Sequence, residues 1–180
     1  KASYVVLLTD GLVKVLVGDL SGRNFSFKIC KPFEFIGLNS ILGSLKWDYS
    51  ALTIVKSKGY IIDFEQLEAC FTNNEAFKSK VTKELGRSNE LLYHKINMLA
   101  NRQALGRLTN TLLYLWSDVF DKHIIENSIT RRTIAELSGM STENCVRILS
   151  ELKKDNLITI TKKGINIIDS NVLETYSNVG

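Results

Sequence analysis

Residues 130–157, TRRTIAELSGMSTENCVRILSELKKDNL, carry the most specific chemistry in the chain. Arg147 lies four residues after Glu143, so both side chains leave one face of a helix. An arginine offers two parallel donors that match O6 and N7 of guanine, and a glutamate accepts from cytosine N4. Two short helices must position them. In the first, Ile134, Ala135 and Leu137 form an apolar face, with Arg131, Arg132 and Glu136 outside it. Thr130 is placed to cap its start. Gly139 ends it, because glycine takes positive φ cheaply. Ser141 caps the second helix, where Cys145, Ile148, Leu149 and Leu152 recur at spacings of three and four and so face inward. Thr142, Glu143 and Arg147 are left on the outer side of its beginning. This is the layout of a helix-turn-helix, whose second helix offers its early residues to base edges in the major groove.

A helical hairpin with a glycine turn is not by itself specific. The continuation adds to it. Leu157–Thr161, then Lys162-Lys163-Gly164, then Ile165–Ile168 alternates as a short hairpin in the place of a wing. Its two lysines sit at the tip, near the expected phosphate backbone.

Residues 130–158 resemble the helix-turn-helix of the Crp/Fnr family of bacterial transcription regulators. The matching residues are Thr130-Arg131, Ile134-Ala135, Gly139, Ser141, Glu143, Arg147, Ile148-Leu149, Leu152 and Leu157-Ile158. The resemblance implies an α+β fold. A sensory β-roll of the cyclic-nucleotide-binding type would span 1–75, a dimerisation helix and hinge 76–104, and a winged helix-turn-helix 105–180. It implies a homodimer that binds double-stranded DNA and works with RNA polymerase. Arg147 would read the guanine of a TTG- or TGTGA-like half-site, and Glu143 would accept from a cytosine nearby. Thr142 stands where cyclic-AMP regulators carry an arginine, which favours the TTG-like form. Arg131, Ser141 and Lys163 would touch phosphates and set the register without specifying sequence.

Composition sets outer bounds. At 180 residues one or two small domains are expected, and 44% apolar residues with eight Phe and two Trp suffice for a core. No apolar run approaches the roughly 20 residues of a membrane span, and no secretion signal is visible, so a cytoplasmic protein without membrane contact is expected. The chain opens Lys-Ala-Ser without Met, which implies residues before Lys1. The first strands of the roll would lie there. Cys30, Cys70 and Cys145 are odd in number and far apart, arguing against a disulfide framework, and His94 and His123 are isolated. No metal-ligand spacing appears. Some Crp/Fnr proteins hold haem or an iron–sulfur cluster, but the cysteine cluster that would do so is not in this sequence. No Gly-rich phosphate loop, metal cluster or nucleophile–base set argues for an enzyme. Net charge is +4, and the excess falls on 76–104, with six basic and two acidic residues. Bulk charge therefore does not argue for DNA binding, and local placement must carry it.

Along the chain, strands are expected at Tyr4–Leu8, Leu12–Val17, Phe25–Cys30, Ala51–Val55 and Tyr60–Ile62. The turns between them are Thr9-Asp10-Gly11, Gly18–Gly22 and Ser57-Lys58-Gly59. Phe35–Gly37 precedes a short apolar segment over Leu38–Leu42, and Phe64–Phe71 reads as a short helix. Residues 76–104 read as one long helix. Leu85, Leu92 and Leu99 lie seven apart, with Asn89 and Ile96 four beyond the first two, a seam through which two copies could pair. Packing against the chain's own β-roll is the alternative use of that face. Lys78, Lys80, Lys83, Arg87, Lys95 and Arg102 are expected on a solvated face. Asn101–Gln103 would be a hinge. A helix over Leu105–Phe120 carries the stripe Leu108, Leu112, Leu115, Trp116 and Val119, and Asp121–Asn127 reads as a loop.

The effector region departs from cyclic-AMP binders. Those place Gly-Glu at a short helix and Arg-Ser-Ala about ten residues on. This chain has Gly37-Leu38 and Tyr49-Ser50-Ala51, lacking the ribose glutamate and the phosphate arginine. A charge-assisted contact of that kind is worth roughly 1.5–3 kcal/mol. Lys46 is a cation in the same loop, Phe33 replaces a frequent glycine, and Trp47 adds bulk. Leu92 and Tyr93 stand where such binders offer polar groups to adenine. The effector is therefore unknown, and cyclic AMP is not expected. The alternative function is a ligand-binding sensor module without specific DNA binding, in which Glu143 and Arg147 are ordinary surface charges.

Overall fold

A computed structural model describes residues 1–18 and 24–179. The turn expected at Gly18–Gly22 lies, beyond Gly18, outside the described residues. The chain divides into two compact units, one of 1–23 and 27–94, the other of 24–26 and 95–180. The division falls within the long helix rather than at its ends.

The N-terminal unit holds two three-stranded sheets. One has β1 (Tyr4–Asp10) between β4 (Phe35–Ile36) and β6 (Lys58–Asp63), both antiparallel to it. In the other, β2 (Val13–Gly18) lies between β3 (Asn24–Cys30) and β5 (Ser50–Thr53). Alternating β-branched and aromatic residues form these strands, and the inward set makes the core. Val5, Phe35, Leu38, Ile41, Leu67 and Val81 form one buried cluster, and Leu8, Val13, Val15, Cys30 and Ile36 another. The apolar segment after Gly37 is a short helix α1 (Leu38–Leu42), and α2 (Phe64–Asn73) leads to α3 (Glu75–Asn101). Phe33 has φ 71° and is exposed. The family's frequent glycine would meet that left-handed backbone without strain.

The seam on α3 is divided in its uses. Leu85 packs on the first cluster of its own chain, and Leu92 is half-buried. Asn89 is exposed, Ile96 is 63% exposed and Tyr93 71% exposed. The basic residues of α3 are not all on a solvated face, because Lys95 is buried.

In the C-terminal unit, the helix expected over 105–120 is α4 (Ala104–Tyr114) followed by a π-helical turn, Leu115–Val119. Leu108, Leu112, Leu115 and Val119 are buried as its stripe. Trp116 is half-buried, with Lys122 Nζ 5.8 Å from its ring centroid. The expected loop 121–127 contains a two-residue strand, β7 (Ile125–Glu126), because Ile125 is buried and pairs with Ile165. Two residues are too few to show a period in sequence. Helices α5 (Arg131–Ser138) and α6 (Thr142–Lys154) follow, then β8 (Ile158–Ile160) and β9 (Gly164–Ile167), giving sheet order β7-β9-β8. A last helix, α7 (Ser170–Val179), packs on α4, and the sequence pattern alone does not announce it.

Glu136 corrects the expected outer face of α5, being 93% buried where an exposed charge was read. Ser26 Oγ donates to its Oε2 at 3.2 Å, and Arg132 Nε donates to its Oε1 at 3.0 Å. Those bonds offset the cost of burying a carboxylate.

Candidate functional site

The helix-turn-helix is fixed at both ends of its turn. Thr130 Oγ1 accepts from Thr133 N–H at 3.1 Å, and Ser141 Oγ accepts from Asn144 N–H at 3.2 Å. Each bond satisfies one of the donors that a first helical turn leaves unpaired. Gly139 lies at φ 61°, ψ 47°, and its N–H and that of Met140 bond back into α5. Cys145, Ile148, Leu149 and Leu152 are buried on the inner face of α6. Glu143 and Arg147 are exposed on the other face, and Thr142 is half-buried at its start.

Glu143 is held below the usual carboxylate range, first by its own backbone N–H and then by the Ser141 hydroxyl. A full negative charge thus sits in the first turn of α6, where the helix dipole favours it. Arg147 does not pair with Glu143. It lies along its own helix, donating to Glu151 Oε1 at 2.6 Å and to Asn144 Oδ1 at 2.8 Å. An exposed i,i+4 pair is worth only about 0.3–0.5 kcal/mol, so the guanidinium can exchange it for another acceptor at little cost.

Lys163 is exposed at the β8–β9 turn, its backbone N–H donating to Thr161 Oγ1 at 3.1 Å. The Asn127 backbone and side-chain amides donate to the Lys163 and Lys162 carbonyls, tying this tip to the loop before α5. Arg131 stands half-buried in the first turn of α5.

Residues 106–176 match the family model described as a Crp-like helix-turn-helix domain. The cAMP-activated global transcriptional regulator CRP of Salmonella typhimurium is 25% identical over 172 residues, covering 92% of this chain and 80% of that protein. The global nitrogen regulator of Nostoc sp. is 26% identical over 174 residues, covering 92% and 77%. The structure of FixK2 from Bradyrhizobium japonicum superposes with TM-score 0.87 at 18% identity, over 99% of this chain and 89% of that one, which shows a shared fold. Residues 106–176 thus form a Crp-like helix-turn-helix domain, and the chain is similar to Crp/Fnr regulators over nearly all of its length. It is a transcription regulator with a DNA-binding helix-turn-helix domain, of a fold and kinship that are those of regulators rather than enzymes.

For a Crp/Fnr protein the second place of interest is the effector region. The N-terminal unit holds a cavity of about 40 Å³ there. Of the residues proposed from sequence, Gly37, Leu38, Tyr49 and Leu92 line it. Ser50 and Ala51 lie exposed on β5, and Tyr93 faces solvent. Lys46 does not line it, but Lys28 does, together with Cys30 and Ser88.

Aromatic rings close on this space. Tyr49 lies edge-on to Phe27 at 5.8 Å and to Trp47 at 6.2 Å, and Trp47 meets Tyr4 at 5.4 Å. Burial pushes the Tyr49 phenol up, against hydrogen bonds with the Ser40 side chain and the Gly37 backbone. The residue that replaces the family's arginine is therefore bonded within its own fold. Burial alone would lower the Lys28 ammonium, but neighbours that include the Glu34 carboxylate outweigh it and raise it. Its Nζ lies 2.8 Å from Glu34 Oε2. Glu84 Oε1 accepts from Phe35 N–H at 2.8 Å. Little in the sequence marks Lys28 on β3, because a strand lysine ordinarily faces solvent. The only signal was Glu34 across the turn that follows.

Burial pushes the Cys30 thiol up to about 12 and the Cys145 thiol up to about 11, whereas Cys70 is exposed. Thiolates, not thiols, react with alkylating reagents. Brief iodoacetamide treatment of the native protein followed by peptide mass mapping should label Cys70 and spare Cys30 and Cys145 until denaturant is added. Fast labelling of Cys145 would show that α6 is not seated as described.

Proposed function

We propose that this regulator is a homodimer that reads a two-fold symmetric DNA site through α6, and that its effector, if it has one, is not cyclic AMP. The observation that carries the reading is the division of α6 into a buried apolar face and an opposite face presenting Glu143 and Arg147 from its N-terminal half. On this reading Arg147 donates bidentately to a guanine and Glu143 accepts from a cytosine at an adjacent or opposed position. Thr142 offers a smaller contact, and Arg131, Ser141 and Lys163 position the domain on phosphates. The half-sites lie about one helical turn apart, centre to centre. RNA polymerase is the further partner in regulation, and the protein acts in the cytoplasm. The described residues include no helix long and apolar enough to cross a membrane.

Arg147→Ala should cost roughly 1–3 kcal/mol and relax preference at one guanine, while Lys163→Ala should weaken all sites alike and flatten the salt dependence. Selection from random duplexes reads both. Equal enrichment of one motif by wild type and Arg147→Ala would refute the assignment.

The dimer reading is supported by the exposure of Ile96 and Tyr93 on α3, beside exposed Asn89 and half-buried Leu92. A polar residue at a seam position fixes register at some cost in stability. Ile96→Asp would put an unpaired charge into that interface. Light scattering should find the variant monomeric and still folded. A dimeric Ile96→Asp would move the interface elsewhere.

The cavity supports the absence of a cyclic-AMP site. Pockets for such ligands are ~300–1,000 Å³, against about 40 Å³ here. Its cation, Lys28, is already paired. Titration calorimetry with cyclic AMP up to millimolar concentration should give no binding heat, and a micromolar Kd would overturn this reading.

A further inference from the structure

Lys95 is the least expected charge in the molecule. It sits on α3 beside Ile96 and is only 4% exposed. Its Nζ donates to the backbone carbonyl of Leu137 at 3.0 Å and lies 5.4 Å from the centroid of the Tyr114 ring. Burial lowers its pKa to about 8. Taking an ammonium out of water is costly, and one carbonyl and one ring face only partly offset it. A methionine would fill the same space without that cost, so stability alone does not account for a lysine here. What a lysine adds is a directional bond to the negative end of a helix.

The place where that bond lands is informative. Leu137 belongs to the last turn of α5, where carbonyls lack helical partners. One turn further along α3, Leu99 packs against Gly139, where a Cβ would come within 2.5 Å of its Cδ2. Ser26 on β3 bonds the neighbouring Glu136. Glu136, Leu137 and Gly139 are thus each held by a residue of β3 or α3. These residues lead directly into the turn that sets the direction of α6. Ile96, next to Lys95, lies on the face proposed for dimerisation.

We propose that Lys95 is a positioning residue, which fixes the direction of α6 relative to the dimer helix and so selects the spacing between DNA half-sites. The inference rests on the dimer reading above. A base pair inserted between half-sites rotates one against the other by about 36°, given 10–10.5 base pairs per turn. A dimer whose recognition helices are rigidly placed must lose affinity for such a site. One whose helices swivel need not.

The test uses palindromic duplexes built from the selected half-site with zero, one or two base pairs inserted at the centre. Kd is measured for wild type, Lys95→Met and Ser26→Ala, with thermal melts and light scattering alongside. Wild type should prefer one spacing by at least about tenfold, within the range that a mismatched base pair produces. Lys95→Met should melt close to wild type, remain dimeric and reduce that preference to threefold or less. Ser26→Ala should shift it in the same direction by a smaller factor. A folded, dimeric Lys95→Met with the wild-type preference overturns the inference and leaves the dimer reading intact. If Lys95→Met does not fold, Ser26→Ala decides, and an unchanged preference overturns it. A monomeric wild type removes the dimer reading and this inference together, whereas a dimeric wild type indifferent to spacing overturns this inference alone.

Discussion

The recognition surface depends on one backbone constraint, the left-handed residue between α5 and α6. Gly139 at φ 61° reverses the chain within a single residue. An L-residue in that conformation pays roughly 1–2 kcal/mol. The reversal is closed on one side by the return of the Gly139 and Met140 amides to α5 and on the other by the Ser141 cap. Because the turn is so short, the apolar faces of the two helices meet at once, Ile134 and Leu137 with Cys145, Ile148 and Leu149 all buried. The outer face of α6 then has a defined direction, and Glu143 and Arg147 have a defined place on it. The Glu143 carboxylate, held ionised by the first turn, and the Arg147 guanidinium, parked on Glu151, are kept apart instead of quenching each other.

The N-terminal unit obeys a different constraint, that of filled space. Tyr49 meets Phe27 and Trp47 edge-on beside the region that the resemblance assigns to an effector, and Trp47 in turn meets Tyr4 at a tilt. The Tyr49 hydroxyl is bonded to Ser40 and Gly37, and Lys28 to Glu34. A ligand entering here would have to displace bonds that the fold already makes. Removing a buried polar partner leaves the other group unsatisfied at a cost of about 1–3 kcal/mol. Local satisfaction of this kind favours a small occupant, or a sensor whose state is set by something other than a nucleotide.

The helix-turn-helix was legible because its signals are local. Caps, a glycine and apolar residues at spacings of three and four all act within a turn or two of chain. What was not legible depends on residues far apart in sequence. Glu136 reads as an outer charge until Ser26, 110 positions earlier, is seen bonded to it. Lys95 reads as one of six solvated cations until the carbonyl of Leu137 is placed against it. Lys28 reads as a strand surface residue until Glu34 turns back to it. In each case a charge is buried by a partner that no periodicity announces. The seam on α3 reads as one continuous face, but Leu85 at its start is taken up by the core of its own unit, and Leu99 at its end touches the turn at Gly139. Asn89, Tyr93 and Ile96 in the middle of the face are left to solvent, and Leu99 at its end is partly so.

The central claim is that α6 enters the major groove and reads guanine, once in each half of a symmetric site. Guanine N7 lies in the major groove and is the atom methylated by dimethyl sulfate. Methylation interference on a bound duplex therefore reports on that groove directly. Methylating one guanine in each half-site, the two about a helical turn apart, should abolish binding by wild type. The same guanines should become tolerated when Arg147 is replaced by alanine. Interference confined to adenine N3 in the minor groove, or a single interfering guanine with no symmetric mate, would contradict it.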